Sequence, residues 1–193
     1  PPCTTRYCRL MSWSCSAMRA SLRGTVTGSS SANTITTSSG NDIIDGGGGA
    51  DVINAGAGSD TVTYRGTESS IDGGGGTNTL VMAVTATVNL SNVDQTSGDS
   101  TTVNNFHNVD ASALSAAISI TGTSSANTIT GGSNNDTIDG GGGADTIVGG
   151  GGNDSISYYG TETLLDGGTG TNTLVLRAAG TVNLGVTDQT SGD

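Results

Sequence analysis

The chain has 193 residues, a formal net charge of −11 at pH 7, 33 glycines and only 3% aromatic residues. Such acidity argues against nucleic acid as a partner, because nucleic-acid-binding surfaces carry the opposite charge. No stretch approaches the ~18 consecutive apolar residues of a membrane-spanning helix, so we expect no membrane span.

Residues 1–25 differ in composition from the rest of the chain. They hold all three cysteines, the only tryptophan, both prolines and four of the six arginines, and they have no acidic residue. Three cysteines without a neighbouring histidine make a poor zinc site. We therefore expect residues 1–25 to be a non-repeat leader, either disordered or artefactual.

From Gly28 onward the chain consists of nine-residue units in unbroken phase. The clearest unit, residues 46–54, reads GGGGADVIN, and the pattern returns as GGGGADTIV and GGGGNDSIS in residues 140–157. Glycine tolerates positive φ, so the first six residues can form a tight turn whose carbonyls converge. Asp at position six adds a carboxylate to that turn. The last three residues predict a short strand with one buried side chain, at position eight.

Position eight supports this interpretation, because all twelve units place an aliphatic residue there. A flexible linker rich in Gly, Ser and Thr would not keep that period. The twelve residues are Ile35, Ile44, Ile53, Val62, Ile71, Leu80, Ile129, Ile138, Ile147, Ile156, Leu165 and Leu174.

With its G-G-x-G-x-D-x-U-x units, where U is aliphatic, the chain resembles the RTX, or haemolysin-type calcium-binding, nonapeptide-repeat family over most of its length. The resemblance implies Ca²⁺ as the bound ion. It agrees with the residues themselves, because calcium takes six to eight oxygen ligands from carboxylates and carbonyls.

A turn followed by a strand, repeated in phase, predicts an all-β fold: a right-handed parallel β-roll or β-solenoid. Two nonapeptides should form one coil, because successive turns must lie on opposite edges of two stacked sheets. Each coil then rises by one strand spacing, ~4.8 Å. Right-handed winding is the hand expected of parallel crossovers.

A longer repeat is superimposed on the nonapeptides. Residues 26–99, here called block 1, align without a gap with residues 120–193, block 2, at an offset of 94. We predict that residues 100–119 form a linker coil and that block 2 stops within a 94-residue period. Between the blocks we expect wider, irregular coils that continue the same axis, with Phe106 in their core. His107, the only histidine, is expected to be solvated.

A coil of two nonapeptides predicts which position-six residues stack in one column. Asp42 should lie above Asp60, and Asp136 above Asp154. Only these two pairs place two carboxylates on neighbouring turns, so they are the first candidates for calcium sites. Asp51 and Asp145 are weaker candidates, because the units two positions away in their columns carry other residues at position six. Those residues are Asn33 and Ser69 around Asp51, and Asn127 and Thr163 around Asp145.

The family resemblance implies that main-chain carbonyls of the turns complete each site. The carbonyls implied are those of Gly40, Gly56 and Gly58 in block 1, and of Ser133, Gly150 and Gly152 in block 2. A different role is expected for the position-nine aspartates, which precede the turns and should accept hydrogen bonds from their N–H groups. These are Asp45, Asp72, Asp139 and Asp166.

The sequence lacks a Ser-His-Asp set, an HExxH motif and a phosphate loop, so we expect no enzyme activity. It favours a calcium-binding structural module of a secreted or cell-surface bacterial protein, an adhesin-like or S-layer-like spacer that folds on export in extracellular calcium. Its partners would be calcium ions and neighbouring repeats of the same array, with any cell-surface or host partner open. By resemblance, export would follow a type I secretion route.

Two alternatives remain. The chain could be the secretion and folding domain of a larger RTX toxin or secreted enzyme. Less favoured is an ice- or surface-binding solenoid with outward threonines such as Thr34 and Thr36, since Ile43 and Asp45 interrupt such a row.

Overall fold

The computed structural model describes residues 7–9, 23–182 and 190–191, with side chains from residue 23 to residue 180. Most of the predicted leader and the end of block 2 lie outside these residues, so the expectation for the leader and the domain boundaries remain predictions. The described residues contain strands and turns but no helix.

The strands are short, and most span three or four residues. Up to the end of the linker they are β1 (Tyr7–Arg9), β2 (Thr25–Thr27), β3 (Thr34–Thr36), β4 (Ile43–Asp45), β5 (Val52–Asn54), β6 (Thr61–Tyr64), β7 (Ser70–Asp72), β8 (Thr79–Met82), β9 (Thr87–Asn89), β10 (Thr96–Ser97), β11 (Thr102–Asn104) and β12 (Asn108–Asp110). In block 2 they are β13 (Ser119–Thr121), β14 (Thr128–Thr130), β15 (Thr137–Asp139), β16 (Thr146–Val148), β17 (Ser155–Tyr158), β18 (Leu164–Asp166), β19 (Thr173–Leu176), β20 (Thr181–Val182) and β21 (Thr190–Ser191).

Position eight forms the core, as predicted. Ile53 is 1% exposed, whereas its strand neighbour Val52 is 42% exposed. Parallel pairing stacks each position-eight residue on the one two units later, so that Ile44 pairs with Val62 and Val62 with Leu80. The interior is therefore a ladder of single aliphatic side chains from two facing sheets. This confirms the predicted parallel β-solenoid with two nonapeptides per coil.

The strands form two faces of the solenoid. One face is a continuous nine-stranded sheet of order β1-β2-β4-β6-β8-β12-β14-β16-β18. The other is divided into a four-stranded sheet, β11-β7-β5-β3, and a six-stranded sheet, β10-β9-β13-β15-β17-β19. The linker is therefore part of the rod, since β12 pairs with β8 on one side and β14 on the other.

The coils between the blocks are wider than the regular two-unit coils, as predicted. Leu80 pairs with Val109 and Val88 pairs with Ile120, so each of these coils takes up more chain than two nonapeptides. Phe106 fills the extra interior space and is 1% exposed. The buried Gln95 side chain forms two hydrogen bonds across the wide coil. Its Nε2 donates to the carbonyl of Phe106 (2.9 Å), and its Oε1 accepts from the N–H of Phe106 (2.8 Å).

The wide coils also exchange the two faces, which the sequence did not predict. By the 94-residue offset, β2, β4, β6 and β8 correspond to β13, β15, β17 and β19. In the nine-stranded sheet, however, β8 and β12 are followed by β14, β16 and β18, which correspond to β3, β5 and β7. Block 2 thus continues the rod half a coil out of phase with block 1.

Replacing Ile53 with Asp should unfold block 1, because an unpaired charge would lie in a core one side chain wide. We expect a loss of about 4 kcal/mol or more in the free energy of unfolding, measured by urea denaturation in calcium. Val52→Asp in the same strand is the matched control and should cost little. Equal effects of the two changes would contradict the inward placement of position eight.

Candidate calcium sites

The position-six side chains lie inside the turns. All six aspartates proposed as ligands are at most 3% exposed, although each belongs to a turn at the surface of the rod. They are Asp42, Asp51, Asp60, Asp136, Asp145 and Asp154. A carboxylate held away from water at such a place requires compensation by hydrogen bonds or a cation.

One oxygen of each carboxylate is used by the neighbouring coil. The N–H of Asp42 donates to Oδ1 of Asp60 (2.7 Å), and the N–H of Asp60 donates to Oδ1 of Asn78 (2.9 Å). In block 2 the N–H of Asp136 donates in the same way to Asp154 (2.8 Å). Each contact joins residues one coil apart, so Asp42 stacks with Asp60 and Asp136 with Asp154, as the coil length predicts.

The other oxygen is often unsatisfied. Oδ2 is buried without a hydrogen-bond partner in Asp51, Asp60, Asp145 and Asp154. Burial raises the pKa of all four carboxyls above the ordinary value of 3.8. A cation would compensate these four oxygens, and a donor set made only of oxygen suits calcium. The residues therefore fit the ion that the repeat pattern implies.

Glycine at position one makes room for these carboxylates. A Cβ added to Gly46 would collide with Oδ2 of Asp51, and one added to Gly140 would collide with Oδ2 of Asp145. In these two turns glycine leaves the space into which the carboxylate folds back over the backbone.

The turn carbonyls face the next turn on the same edge. A Cβ on Gly58 would meet the carbonyl oxygen of Gly40, and a Cβ on Gly170 would meet that of Gly152. The carbonyls of Gly56 and Gly150 already accept hydrogen bonds from the N–H groups of Gly75 and Thr169, both at 2.8 Å. Each retains a second lone pair.

The carboxylates alone do not form a complete metal site. In the part of the chain that the structure describes, no three His, Cys, Asp or Glu side chains converge. Calcium at these turns would therefore need main-chain carbonyls, as the resemblance implies. The predicted carbonyls, including that of Ser133, remain proposed ligands.

Comparison with known families identifies the repeat. Residues 27–62 and 121–156 match the family model described as RTX calcium-binding nonapeptide repeat (4 copies). These two segments, one in each block, are RTX calcium-binding repeats. RTX nonapeptides are calcium-binding motifs, which supports Ca²⁺ as the ion of this chain. The two matched segments contain all six position-six aspartates, which remain proposed ligands. No curated protein matches the chain.

The position-nine aspartates of the RTX units cap the following turn, as predicted. Oδ1 of each accepts the N–H two residues later, at 2.8–2.9 Å. Asp45 is in addition paired with Arg65 (2.8 Å), and that hydrogen bond holds the pKa of Asp45 below its ordinary value.

The prediction for the ends of the Asp51 and Asp145 columns was wrong in one respect. Ser69 and Thr163, aligned at position six, are exposed. The residue before Ser69 is buried instead, since Glu68 is only 2% exposed, and Glu162, before Thr163, is half-buried. The sequence did contain a signal for this. Both copies of the Y-x-G-T-E segment place a Glu at position five, one residue before the aligned position six.

His107 is half-buried rather than solvated. Its N–H donates to the carbonyl of Asn78 (3.0 Å), and its own carbonyl accepts from Nδ2 of Asn127 (2.6 Å). Its main chain thereby links the Asn78 turn of block 1 to the Asn127 turn of block 2.

The exchange of faces places the two dicarboxylate columns on opposite edges of the rod. Asp42 and Asp60 lie in turns that lead into β4 and β6 of the nine-stranded sheet. Asp136 and Asp154 lie in turns that lead into β15 and β17 of the facing sheet. Sites at these columns would therefore bind independently.

Replacing Asp60 with Asn should remove calcium from the Asp42–Asp60 site without removing the cap on Asp42, because Asn78 already caps Asp60 through an amide oxygen. Isothermal titration calorimetry should show fewer ions per chain. The matched variant Asp154→Asn should cause an independent, additive loss from block 2. A loss at both blocks from either single change would contradict the column assignment.

Without calcium, the fold should be more stable in acid. The folded-state pKa values of Asp51, Asp60, Asp145 and Asp154 are raised, so the folded chain binds protons more tightly than the unfolded chain. The free energy of unfolding should therefore fall as the pH rises from about 3.8 through those raised values.

Urea denaturation of calcium-free protein at a series of pH values measures this dependence. Asp60→Asn should flatten it, whereas Asp166→Asn removes the same charge from an exposed site and should leave its slope nearly unchanged. Stability that rises with pH in calcium-free solution would contradict the prediction.

Proposed function

We propose that this chain is a calcium-dependent rod segment of a secreted or cell-surface bacterial repeat protein, serving as an adhesin-like or S-layer-like spacer. The observation that carries the proposal is the set of interior position-six carboxylates, four of which have a buried oxygen without a partner. Such a chain gains its fold together with its ions, because ligation stabilises only the folded state.

The charge of the chain supports folding that depends on calcium. A net charge of −11 opposes compaction, and the core is one aliphatic side chain wide. Sites with two carboxylates and neutral carbonyls resemble those of extracellular modules, with dissociation constants of about 10⁻⁴–10⁻³ M. The chain would then stay unfolded in the cytosol, pass through a narrow exporter and fold outside.

A spacer role agrees with the way the coils stack. Each coil contacts its neighbours along the axis, as in other solenoids, so further repeats extend the rod without a new core. We propose neighbouring repeats of the same array as its partners.

The site geometry favours a structural role over catalysis. The carboxylates lie inside stacked turns, with one oxygen held by a backbone N–H, rather than in a cleft open to a substrate. Within the described residues, no helix is long and apolar enough to cross a membrane.

Binding to ice or another flat surface is a second candidate, favoured by one row of outward hydroxyls on the six-stranded sheet. The adjacent row contains Asn89, Asp139 and Val175 and is not regular, so the face lacks a second matching row. The hydroxyl row consists of Thr87, Ser119, Thr137, Ser155 and Thr173.

The chain should fold as calcium is added, at the calcium concentrations found outside cells. Circular dichroism of the chain should show little strand signal in excess EGTA and a cooperative gain with a midpoint of about 10⁻⁴–10⁻³ M calcium. Magnesium at the same concentration is the control and should be much less effective, because it prefers small octahedral sites and keeps its waters. A midpoint at or below micromolar would mean folding before export and would overturn the proposal.

A further inference from the structure

We propose that Glu68 with Asp51, and Glu162 with Asp145, form a second kind of calcium site that uses a carboxylate outside the position-six pattern. The inference rests on the calcium-binding function proposed above. It concerns the two columns for which the sequence predicted weak or empty sites.

The Y-x-G-T-E turns hold their glutamates in an unusual place. In the other nonapeptide turns position five is exposed, as at Ala50 and Ser59, whereas Glu68 is buried. Its carboxylate accepts hydrogen bonds from the N–H groups of Arg65 (3.0 and 3.2 Å) and Thr67 (3.1 Å). These bonds fix the carboxylate within the turn and leave lone pairs for a cation.

The turn containing Glu68 stacks directly on the turn containing Asp51. The N–H groups of Ser69 and Ser70 both donate to the carbonyl of Asp51, at 2.7 and 3.2 Å. The Ser69 hydroxyl donates to the carbonyl of Ala50 (3.3 Å). The two acidic side chains therefore belong to adjacent layers of one edge.

A separate observation on Asp51 points to a bound cation. It is 0% exposed, and its Oδ2 is buried without a partner. Burial is the main cause that raises the pKa of the Asp51 carboxyl, and the negative charge of Glu68 raises it further. A cation near both carboxylates would offset this repulsion.

The opposite side of Asp51 is less suited to a cation. There the column continues with Asn33, whose Oδ1 accepts the N–H of Ser29 (2.7 Å) and whose Nδ2 is buried without a partner. That amide presents an N–H donor toward the interior rather than an oxygen. The electrostatics therefore favour an ion on the Glu68 side.

Block 2 repeats the arrangement with different neighbours. The Glu162 carboxylate accepts from the N–H groups of Tyr159 (2.7 Å), Gly160 (2.9 Å) and Thr161 (3.0 Å). The N–H of Thr163 donates to the carbonyl of Asp145 (2.7 Å), and Oδ2 of Asp145 is again buried and unpartnered. Tyr159 stands where block 1 has Arg65, so the guanidinium is not what holds the glutamate inward.

The test counts calcium ions bound per full chain, by equilibrium dialysis with direct measurement of calcium. Glu68→Gln keeps an oxygen for the turn N–H groups but removes the charge, and it should lose one ion. Glu162→Gln should lose one more. The controls Ser69→Ala and Thr163→Ala, at the aligned but exposed position, should lose none.

If Asp51 and Glu68 share one ion, the same experiment should show that their single and double variants do not add. Asp51→Asn, Glu68→Gln and the double variant should all lose the same single ion. An unchanged ion count in Glu68→Gln, with reduced stability in calcium-free buffer, would show that the glutamate only caps its turn and would overturn the inference.

Circular dichroism in calcium verifies that each variant folds. If Glu68→Gln does not fold, Glu68→Asp carries the test. The shorter carboxylate should keep the ion with at least tenfold weaker affinity, and unchanged affinity would overturn the inference. A chain that binds no calcium at all would instead defeat the proposed function, so the two failures are distinguishable.

Discussion

The carboxylate buried at position six is the constraint on which the rest of the structure depends. It needs room to fold back over position one, which is glycine in four of the six turns, a backbone N–H from the next coil for one oxygen, and a cation for the other. The first two needs are met by the nine-residue unit and by the stacking of coils that each contain two units. Only the third requires something from outside the chain, and the proposed coupling of folding to calcium rests on it.

The proposed coupling would explain how so thin a core can be sufficient. One aliphatic residue per nine buries little apolar surface, and hydrophobic burial alone would not offset the cost of ordering a glycine-rich backbone. Backbone ladders, interior caps and ions contribute the remainder. The wide coils between the blocks depend less on ions, because Gln95 and Phe106 satisfy and fill their interior instead.

Much of this could be predicted from the residues. The aliphatic period at position eight gave the solenoid, and the coil length gave the Asp42–Asp60 and Asp136–Asp154 stacks. The half-coil shift of block 2 could not be predicted, because it depends on irregular turns whose path no period specifies. Glu68 was not predicted, because its longer side chain reaches the interior from position five, where the other turns have an outward residue.

Hydrogen–deuterium exchange of the position-six amides tests the central claim most directly. The N–H groups of Asp42 and Asp136 donate to the carboxylates of Asp60 and Asp154, whose own N–H groups donate to the side chains of Asn78 and Asn172. The account predicts strong protection of the Asp42, Asp60, Asp136 and Asp154 amides in millimolar calcium, and loss of that protection throughout both blocks when calcium is removed at neutral pH. Equal protection with and without calcium would show that the interior carboxylates are stable without a cation, and would contradict it.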